Sequence, residues 1–92
     1  MEHNINMAFG EPSLITFIAA EKAVPGIIDS FGKGVSFRQR GDGSYECAVC
    51  VPLYDMELRA MQNWNRIQIT GPEELRTRMR RNAKRLMKVY GD

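Results

Sequence analysis

The stretch LITFIAA, residues 14–20, most restricts how this 92-residue chain can fold. A continuous run of branched and aromatic apolar residues is typical of a strand that is covered on both faces, because a half-exposed strand alternates apolar with polar residues. We therefore expect residues 14–20 to form an inner strand of a sheet, with a neighbouring strand on each side.

The segment VSFRQRGDGSYECAVCV, residues 35–51, predicts a β-hairpin around its GDG tripeptide. A two-residue loop would pair Arg38 with Cys47 and would mix polar and apolar residues on both faces. A three-residue loop sets Arg38 opposite Glu46 instead. Because register follows the buried face, we predict the three-residue loop with Gly43 in the left-handed conformation. This register gathers the apolar side chains on one face: Val35, Phe37, Tyr45, Cys47 and Val49.

Two segments have helical periodicity. The first, within AVPGIIDSFGKG, has apolar residues at i, i+3, i+4 and i+7, namely Val24, Ile27, Ile28 and Phe31. Pro25 suits its first turn, and Gly32 or Gly34 can serve as its C-cap. The second, LYDMELRAMQNW, has apolar residues at Leu53, Met56, Ala60, Met61 and Trp64. We expect Asp55 to be its N-cap.

A last strand and a long last helix follow. The stretch RIQIT, residues 66–70, alternates as a strand does, and TGPEEL then predicts a helix start. Pro72 suits the first helical position after a Gly71 cap, whereas Thr70 and Glu73 stand at capping-box spacing if the helix begins one residue earlier. The sequence does not distinguish these two registers.

The order strand, helix, strand, strand, helix, strand predicts an α+β domain of the ferredoxin-like βαββαβ type with an additional C-terminal helix. Its four-stranded antiparallel sheet has the order 4-1-3-2, which makes the apolar first strand an inner one. Helices cover one face only, so the other is solvated, covered by the last helix, or covered by a partner. We assign residues 13–92 to this domain and residues 1–12, with the weakly alternating NINMAF, to a linker or the tail of a preceding domain.

Composition is that of a small globular domain, with 43% hydrophobic and 26% charged residues. No apolar run has the roughly 18 residues needed to cross a bilayer, and the N-terminus has no signal-peptide pattern. We therefore expect a cytoplasmic protein with no membrane association. With only two cysteines, nothing indicates a disulfide framework.

Catalytic patterns are nearly absent, and we expect no enzymatic activity and no cofactor. His3 is the only histidine and lies near the terminus, so a nucleophile would have no base. The CAVC stretch matches a C-x-x-C motif, but in a strand Cys47 and Cys50 point to opposite faces, so we expect neither a metal site nor a dithiol. An RNA-recognition domain shares this topology, yet Tyr45 and Phe17 both belong to the apolar face, which argues against base stacking on the sheet.

Positive charge is concentrated at the C-terminal end of the chain. Residues 1–65 have a net charge of −3 and residues 66–92 have +5, and RTRMRRNAKRLMK holds seven basic residues and no acid. On a helical wheel, one arc is apolar: Leu75, Met79, Ala83, Leu86, Met87 and Tyr90. The opposite arc is basic, with Arg76 and Arg80 at its border, and forms a candidate interaction face: Arg78, Arg81, Lys84, Arg85 and Lys88. A solvated face, contact with an acidic protein surface and contact with nucleic acid all stay open.

Three stretches resemble a known family: GEPSLITFIAAEKAVPGIIDSFGKGVSF, AMQNW and ITGPEELRTRMRRNAKRLMKVYG. They are similar, over residues 9–91, to the C-terminal extension of WYL-domain transcriptional regulators, the module often called WCX. The order and spacing of IIDSFG, of AM followed by W, and of GPEELR carry the resemblance. In the family several more residues usually separate the tryptophan from the last strand, whereas here only Asn65 stands between Trp64 and Arg66. This departure indicates that the second helix ends early.

The resemblance implies a non-catalytic regulatory module that contributes to dimerisation and to transmission of an effector signal. Its partners would be the WYL domain of the same or a neighbouring protomer in a homodimeric full-length regulator. A nucleic-acid effector is possible, and promoter DNA would be bound only through a winged-helix domain that this chain lacks. The alternative from the residues themselves is a sensing domain for a small molecule or for single-stranded nucleic acid.

Overall fold

The computed structural model describes residues 11–91 as an α+β fold of four strands and three α-helices. The strands are β1 (Pro12–Ala19), β2 (Ser36–Gln39), β3 (Tyr45–Pro52) and β4 (Ile67–Gly71). The helices are α1 (Val24–Phe31), α2 (Leu53–Gln62) and α3 (Glu73–Tyr90), and short 3₁₀ turns at Glu21–Ala23 and Gly32–Gly34 flank α1. The expected linker or preceding tail at residues 1–12, with its NINMAF pattern, lies almost entirely outside the described residues, and β1 begins at Pro12.

The strands form one antiparallel sheet in the order β2-β3-β1-β4, which confirms the predicted ferredoxin-like arrangement with an added C-terminal helix. β1 lies between β3 and β4, as expected for an inner strand. Its predicted coverage on both faces is not seen in residues 11–91, because buried side chains alternate with partly or largely exposed ones along the strand. The hairpin register is also confirmed, since Arg38 stands opposite Glu46 and the two side chains form an ion pair. Gly43 has a φ of 90°, the left-handed conformation that the three-residue loop needs.

The core lies between the helices and one face of the sheet. Ile15, Phe17 and Ala19 alternate inward along β1, and Cys47 with Val49 does the same along β3. β4 adds Ile67 and Ile69, and the helices add Ile27, Met56, Ala60 and Leu75. Phe37 and Tyr45 pack against this core. Their two rings contact each other edge to face, with centroids 6.2 Å apart. The helix-covered face is therefore the apolar face predicted from the hairpin.

The two cysteines lie on opposite faces, as their spacing predicts. Cys47 is buried, Cys50 is exposed, and both are free thiols. Burial raises the pKa of the Cys47 thiol to about 11, because a thiolate loses hydration there. The CAVC stretch thus has the geometry of an ordinary strand.

The N-cap predicted for α2 is wrong, whereas the early end that the short spacer after Trp64 indicates is confirmed. The helix begins at Leu53 directly after the extended residue Pro52, so Asp55 lies inside its first turn and caps nothing. It ends at Gln62, because Asn63 leaves the helical conformation, with a φ of −124° and a ψ of 36°. The backbone N–H and the side-chain amide of Asn63 both donate to the carbonyl oxygen of Arg59, at 3.1 and 2.9 Å. Trp64 therefore belongs to the turn before β4, and its side chain is 76% exposed.

The start of α3 matches neither predicted register. Pro72 is the N-cap, with extended backbone, and its carbonyl oxygen accepts from the N–H groups of Leu75 and Arg76. The Thr70 hydroxyl donates to the Thr16 hydroxyl across the sheet at 2.9 Å. Thr70 thus forms no capping box with Glu73. α1 follows the prediction, with Pro25 in its first turn and Gly32 as C-cap at a φ of 63°, except that Ile28 is exposed.

The second face of the sheet carries no helix in the part of the chain that the structure describes. Leu14 is 64% exposed there and stands opposite Cys50. α3 contacts β4 and α2 on the core side, so it does not cover this face. Within residues 11–91, no helix combines the length and the apolar character needed to cross a bilayer.

Candidate interaction face on the C-terminal helix

α3 is anchored to the body of the domain by its part before Ala83. Leu75 is fully buried and Met79 packs against the core, so the predicted apolar arc begins as a core element. Four apolar side chains further along the helix, which we call the apolar end, are between 47 and 80% exposed: Leu86, Met87, Val89 and Tyr90. The helix therefore extends beyond the surface on which it packs.

Acidic partners bind the first three basic side chains of α3, which are Arg76, Arg78 and Arg80. Arg76 and Arg80 both bond to the carboxylate of Glu73, at 3.3 and 2.7 Å, on the exposed side of the first turns. The hydrogen bond from Arg80 is the main cause that lowers the pKa of Glu73, and the positive charges of Arg80 and Arg76 add to it. This part of the helix is a solvated face of mixed charge.

Arg78, which belongs to the predicted basic arc, is held within the domain. Its guanidinium lies 3.5 Å from Glu57 on α2 and 3.3 Å from Glu74 one turn earlier. The second oxygen of Glu57 accepts a 2.7 Å hydrogen bond from the side-chain amide of Asn82. The Glu57 side chain is only 19% exposed, so these contacts fix α3 to α2 in a partly water-excluded position.

From Arg81 onward, α3 presents four basic side chains that form no ion pair with any residue of 11–91. We call this set the basic face: Arg81, Lys84, Arg85 and Lys88. They are exposed and follow the spacing i, i+3, i+4 and i+7, which places them along one side over about 10 Å. Together with Met87 they line a shallow, open depression.

Four unpaired positive charges at this spacing repel one another, and an anionic surface would relieve the repulsion. Guanidinium and ammonium groups supply hydrogen-bond donors for carboxylates or phosphates but no base and no nucleophile at neutral pH. The arrangement can therefore bind an extended anionic partner. The exposed apolar end beside it adds area that gains free energy when a partner excludes water from it.

Periodicity along the sequence does not reveal Glu57 and Asn82 as the residues that decide which basic side chains are paired. Glu57 lies 21 residues before Arg78 and 25 before Asn82, so no helical spacing connects them. Only the packing of α2 against α3 brings them together, and the local sequence does not contain that information.

The other residues considered from the sequence take no part in this face. His3 lies outside the described residues. Phe17 is buried and Tyr45 packs on the core side of the sheet, so neither ring faces the helix-free side. Among residues 11–91, no three His, Cys, Asp or Glu side chains come together as metal ligands would.

The chain was compared with protein-family models, with curated proteins and with solved structures, and none of the three comparisons gave a match. A function for this chain therefore has to be inferred from the fold and from the exposed end of α3.

Proposed function

We propose that this chain is a non-catalytic regulatory module of a transcriptional regulator, equivalent to the C-terminal extension of WYL-domain proteins. The observation that carries the proposal is the end of α3, which presents an apolar side and a basic side beyond the core. A helix end with both characters is typical of a segment that packs against another domain. The order of IIDSFG, AMQNW and GPEELR along the chain supports the choice of family.

In this proposal the apolar end docks on a WYL domain of the same or a neighbouring protomer, and the basic face pairs with acidic groups around that contact. The module thereby contributes to dimerisation of the full-length regulator in the cytoplasm. It also transmits to the rest of the regulator the conformational change that effector binding causes. Promoter DNA is bound by a winged-helix domain outside this chain.

The first test is the gene that encodes the chain. The proposal expects a winged-helix domain and a WYL domain in the same reading frame, and their absence overturns the family assignment.

The second test measures association of the chain with the separately expressed WYL domain by isothermal titration calorimetry. The variant L86S/Y90S removes apolar area from the end of α3 and should weaken association at least tenfold, about 1.4 kcal/mol.

The control variant also replaces an exposed apolar side chain by serine, but at a site away from α3. The variant L14S alters the exposed Leu14 on the helix-free face of the sheet, and it should leave the affinity unchanged. If L14S weakens association and L86S/Y90S does not, the contact lies on the sheet and the proposed role of α3 is wrong.

A second candidate function is the sensing of single-stranded nucleic acid, which the four unpaired cations of the basic face favour. Binding to phosphates releases counterions, so affinity for single-stranded DNA should fall steeply between about 50 and 200 mM salt. The variant R81Q/K84Q/K88Q should abolish it. The variant R38Q/R40Q/R76Q removes the same charge from positions already paired with acids, and it should retain binding.

Absence of any binding to DNA at the lower salt excludes nucleic-acid contact by the isolated domain. The same basic-face variant then tests the acidic protein surface, because weaker association with the WYL domain is expected only if that surface is the partner.

A further inference from the structure

A second group of cations lies away from α3, in a cleft between α1 and α2. Three basic side chains line it, Lys22 from the turn before α1, Arg59 from α2 and Arg66 from the turn before β4. No Asp or Glu lines this cleft, and within residues 11–91 none of the three forms an ion pair. Positive charge is therefore concentrated in a concave site without a compensating acid.

The frame of this α1–α2 cleft is fixed by backbone hydrogen bonds. The N–H of Ala20 donates to the carbonyl oxygen of Arg66 at 3.0 Å and so ties the turn before α1 to the turn before β4. The N–H of Arg66 in turn donates to the carbonyl oxygen of Asn63 at 2.9 Å. The backbone that carries Lys22 and Arg66 is thus held in place before any ligand arrives, which lowers the entropy cost of binding.

Arg59 is also held in place. Its guanidinium lies over the ring of Phe31, 5.0 Å from the centroid, in a cation–π contact that restricts the long side chain. Within residues 11–91 the guanidinium donates no hydrogen bond, so its N–H donors are available for a carboxylate or a phosphate oxygen. Ser30 and Asn63 add polar side chains to the lining.

Gln62 is a further polar residue of the lining, and the remaining residues are apolar, with the buried Ala23 and Ile27 at the base. The cleft has a volume of about 190 Å³. That is less than the roughly 300 Å³ of the smallest sites for drug-sized ligands, so it suits one charged group with a short apolar body. A nucleic-acid strand or a protein segment would not fit inside it.

We propose that the α1–α2 cleft binds a small organic anion, whose carboxylate or phosphate group contacts Arg59 and Arg66 and whose apolar part lies against Ile27. Lys22 at the rim contributes attraction without a fixed contact. This site is separate from the basic face of α3, and the proposal stands whether or not the chain belongs to a WYL-type regulator.

The test follows backbone amide shifts of the ¹⁵N-labelled full chain while one of three probes is added. Phenyl phosphate and benzoate carry an apolar ring on a phosphate or a carboxylate, and inorganic phosphate carries the charge alone. We expect saturable shifts at Ser30, Asn63 and Arg66 with one or both ring probes, with a dissociation constant on the order of 1 mM or lower. The preferred ring probe identifies the charged group, and inorganic phosphate should bind several-fold more weakly.

Two variants assign the site. R59Q and R66Q should each weaken the ring probe at least tenfold, whereas R81Q on the basic face should have no effect. R66Q alters an exposed side chain and decides the question if loss of the Phe31 contact unfolds R59Q.

Shifts that do not saturate by about 10 mM, or that centre on α3 and disappear in R81Q, overturn the proposal. So does unchanged affinity in both R59Q and R66Q. Equal affinity for inorganic phosphate and the ring probes overturns the part of the proposal that assigns the apolar contact.

Discussion

The two halves of α3 have the same alternation of apolar and basic residues, yet they have different surroundings. In the first half Leu75 is fully buried and Arg78 has acidic partners, whereas in the second half Leu86 is 47% exposed and Lys88 has no partner among residues 11–91. Amphipathic periodicity thus specifies which side of a helix is apolar. It does not specify how far along the helix a surface exists to cover that side.

The largest expected effect concerns the apolar side chains of these two halves. Replacing Leu75 by Ala leaves a cavity in the core and should cost about 2–5 kcal/mol in the free energy of unfolding, a large part of the stability of a small domain. Replacing Leu86 by Ala should change it by less than about 0.5 kcal/mol. Urea denaturation followed by far-ultraviolet circular dichroism measures both.

An equal loss of unfolding free energy in L75A and L86A would contradict the difference between the two halves, since it would mean that the end of α3 is packed in solution. Dilution of the wild type over a wide concentration range then shows whether that packing is between copies of the chain, because only an intermolecular contact makes stability depend on concentration.

A smaller effect is expected at the contact that separates the two halves. Replacing Glu57 by Gln removes the charge that holds Arg78 and should cost about 1 kcal/mol, because Glu57 is mostly shielded from water. The matched control is E46Q, which breaks the exposed pair with Arg38 and should cost a few tenths of a kcal/mol at most. A cost for E57Q no larger than that for E46Q would show that the cluster does not stabilise the docking of α3.

The smallest expected effect is the dependence of stability on the protonation of Glu73. Its pKa in the folded chain is below the ordinary 4.5 because Arg80 donates a hydrogen bond to it, so the folded state binds this proton less readily than the unfolded state. The stabilisation is present above pH 4.5 and is lost as pH falls through the lower folded value. The melting temperatures of wild type and E73Q should therefore differ slightly at pH 7 and converge in acid, and a constant difference would contradict this.

The fold could be read from the sequence to a large extent because its determinants are local. The apolar run of β1 and the single buried face of the hairpin specify the strand order and the pairing of Arg38 with Glu46. Helical periodicity alone misplaces the end of α2, since Trp64 falls at helical spacing, and only the short spacer between Trp64 and Arg66 indicates the stop at Asn63. The capping box of Thr70, one of the two registers that the sequence leaves open at the start of α3, does not form because this hydroxyl bonds to Thr16, which is 54 residues away in sequence.

The candidate site was only half predictable for the same reason. The helical wheel correctly groups Arg81, Lys84, Arg85 and Lys88 on one side of α3, but it does not show that Arg78 has a partner on another helix. The set of four on the basic face emerges only once α2 and α3 are packed together. The cleft between α1 and α2 has no sequence signal, because Lys22, Arg59 and Arg66 come from three separate segments.

Trp64, the only tryptophan of the chain, has a practical consequence through its position in the exposed turn before β4. An indole ring that is already in water has little further hydration to gain when the chain unfolds. Its fluorescence spectrum should therefore shift little across a denaturation curve, although the far-ultraviolet signal collapses. The same ring lies between open surface depressions that also contain Arg66 and Arg80, so its emission should respond instead when another molecule covers that side of the domain. In this protein tryptophan fluorescence is an optical probe of association and a poor probe of folding.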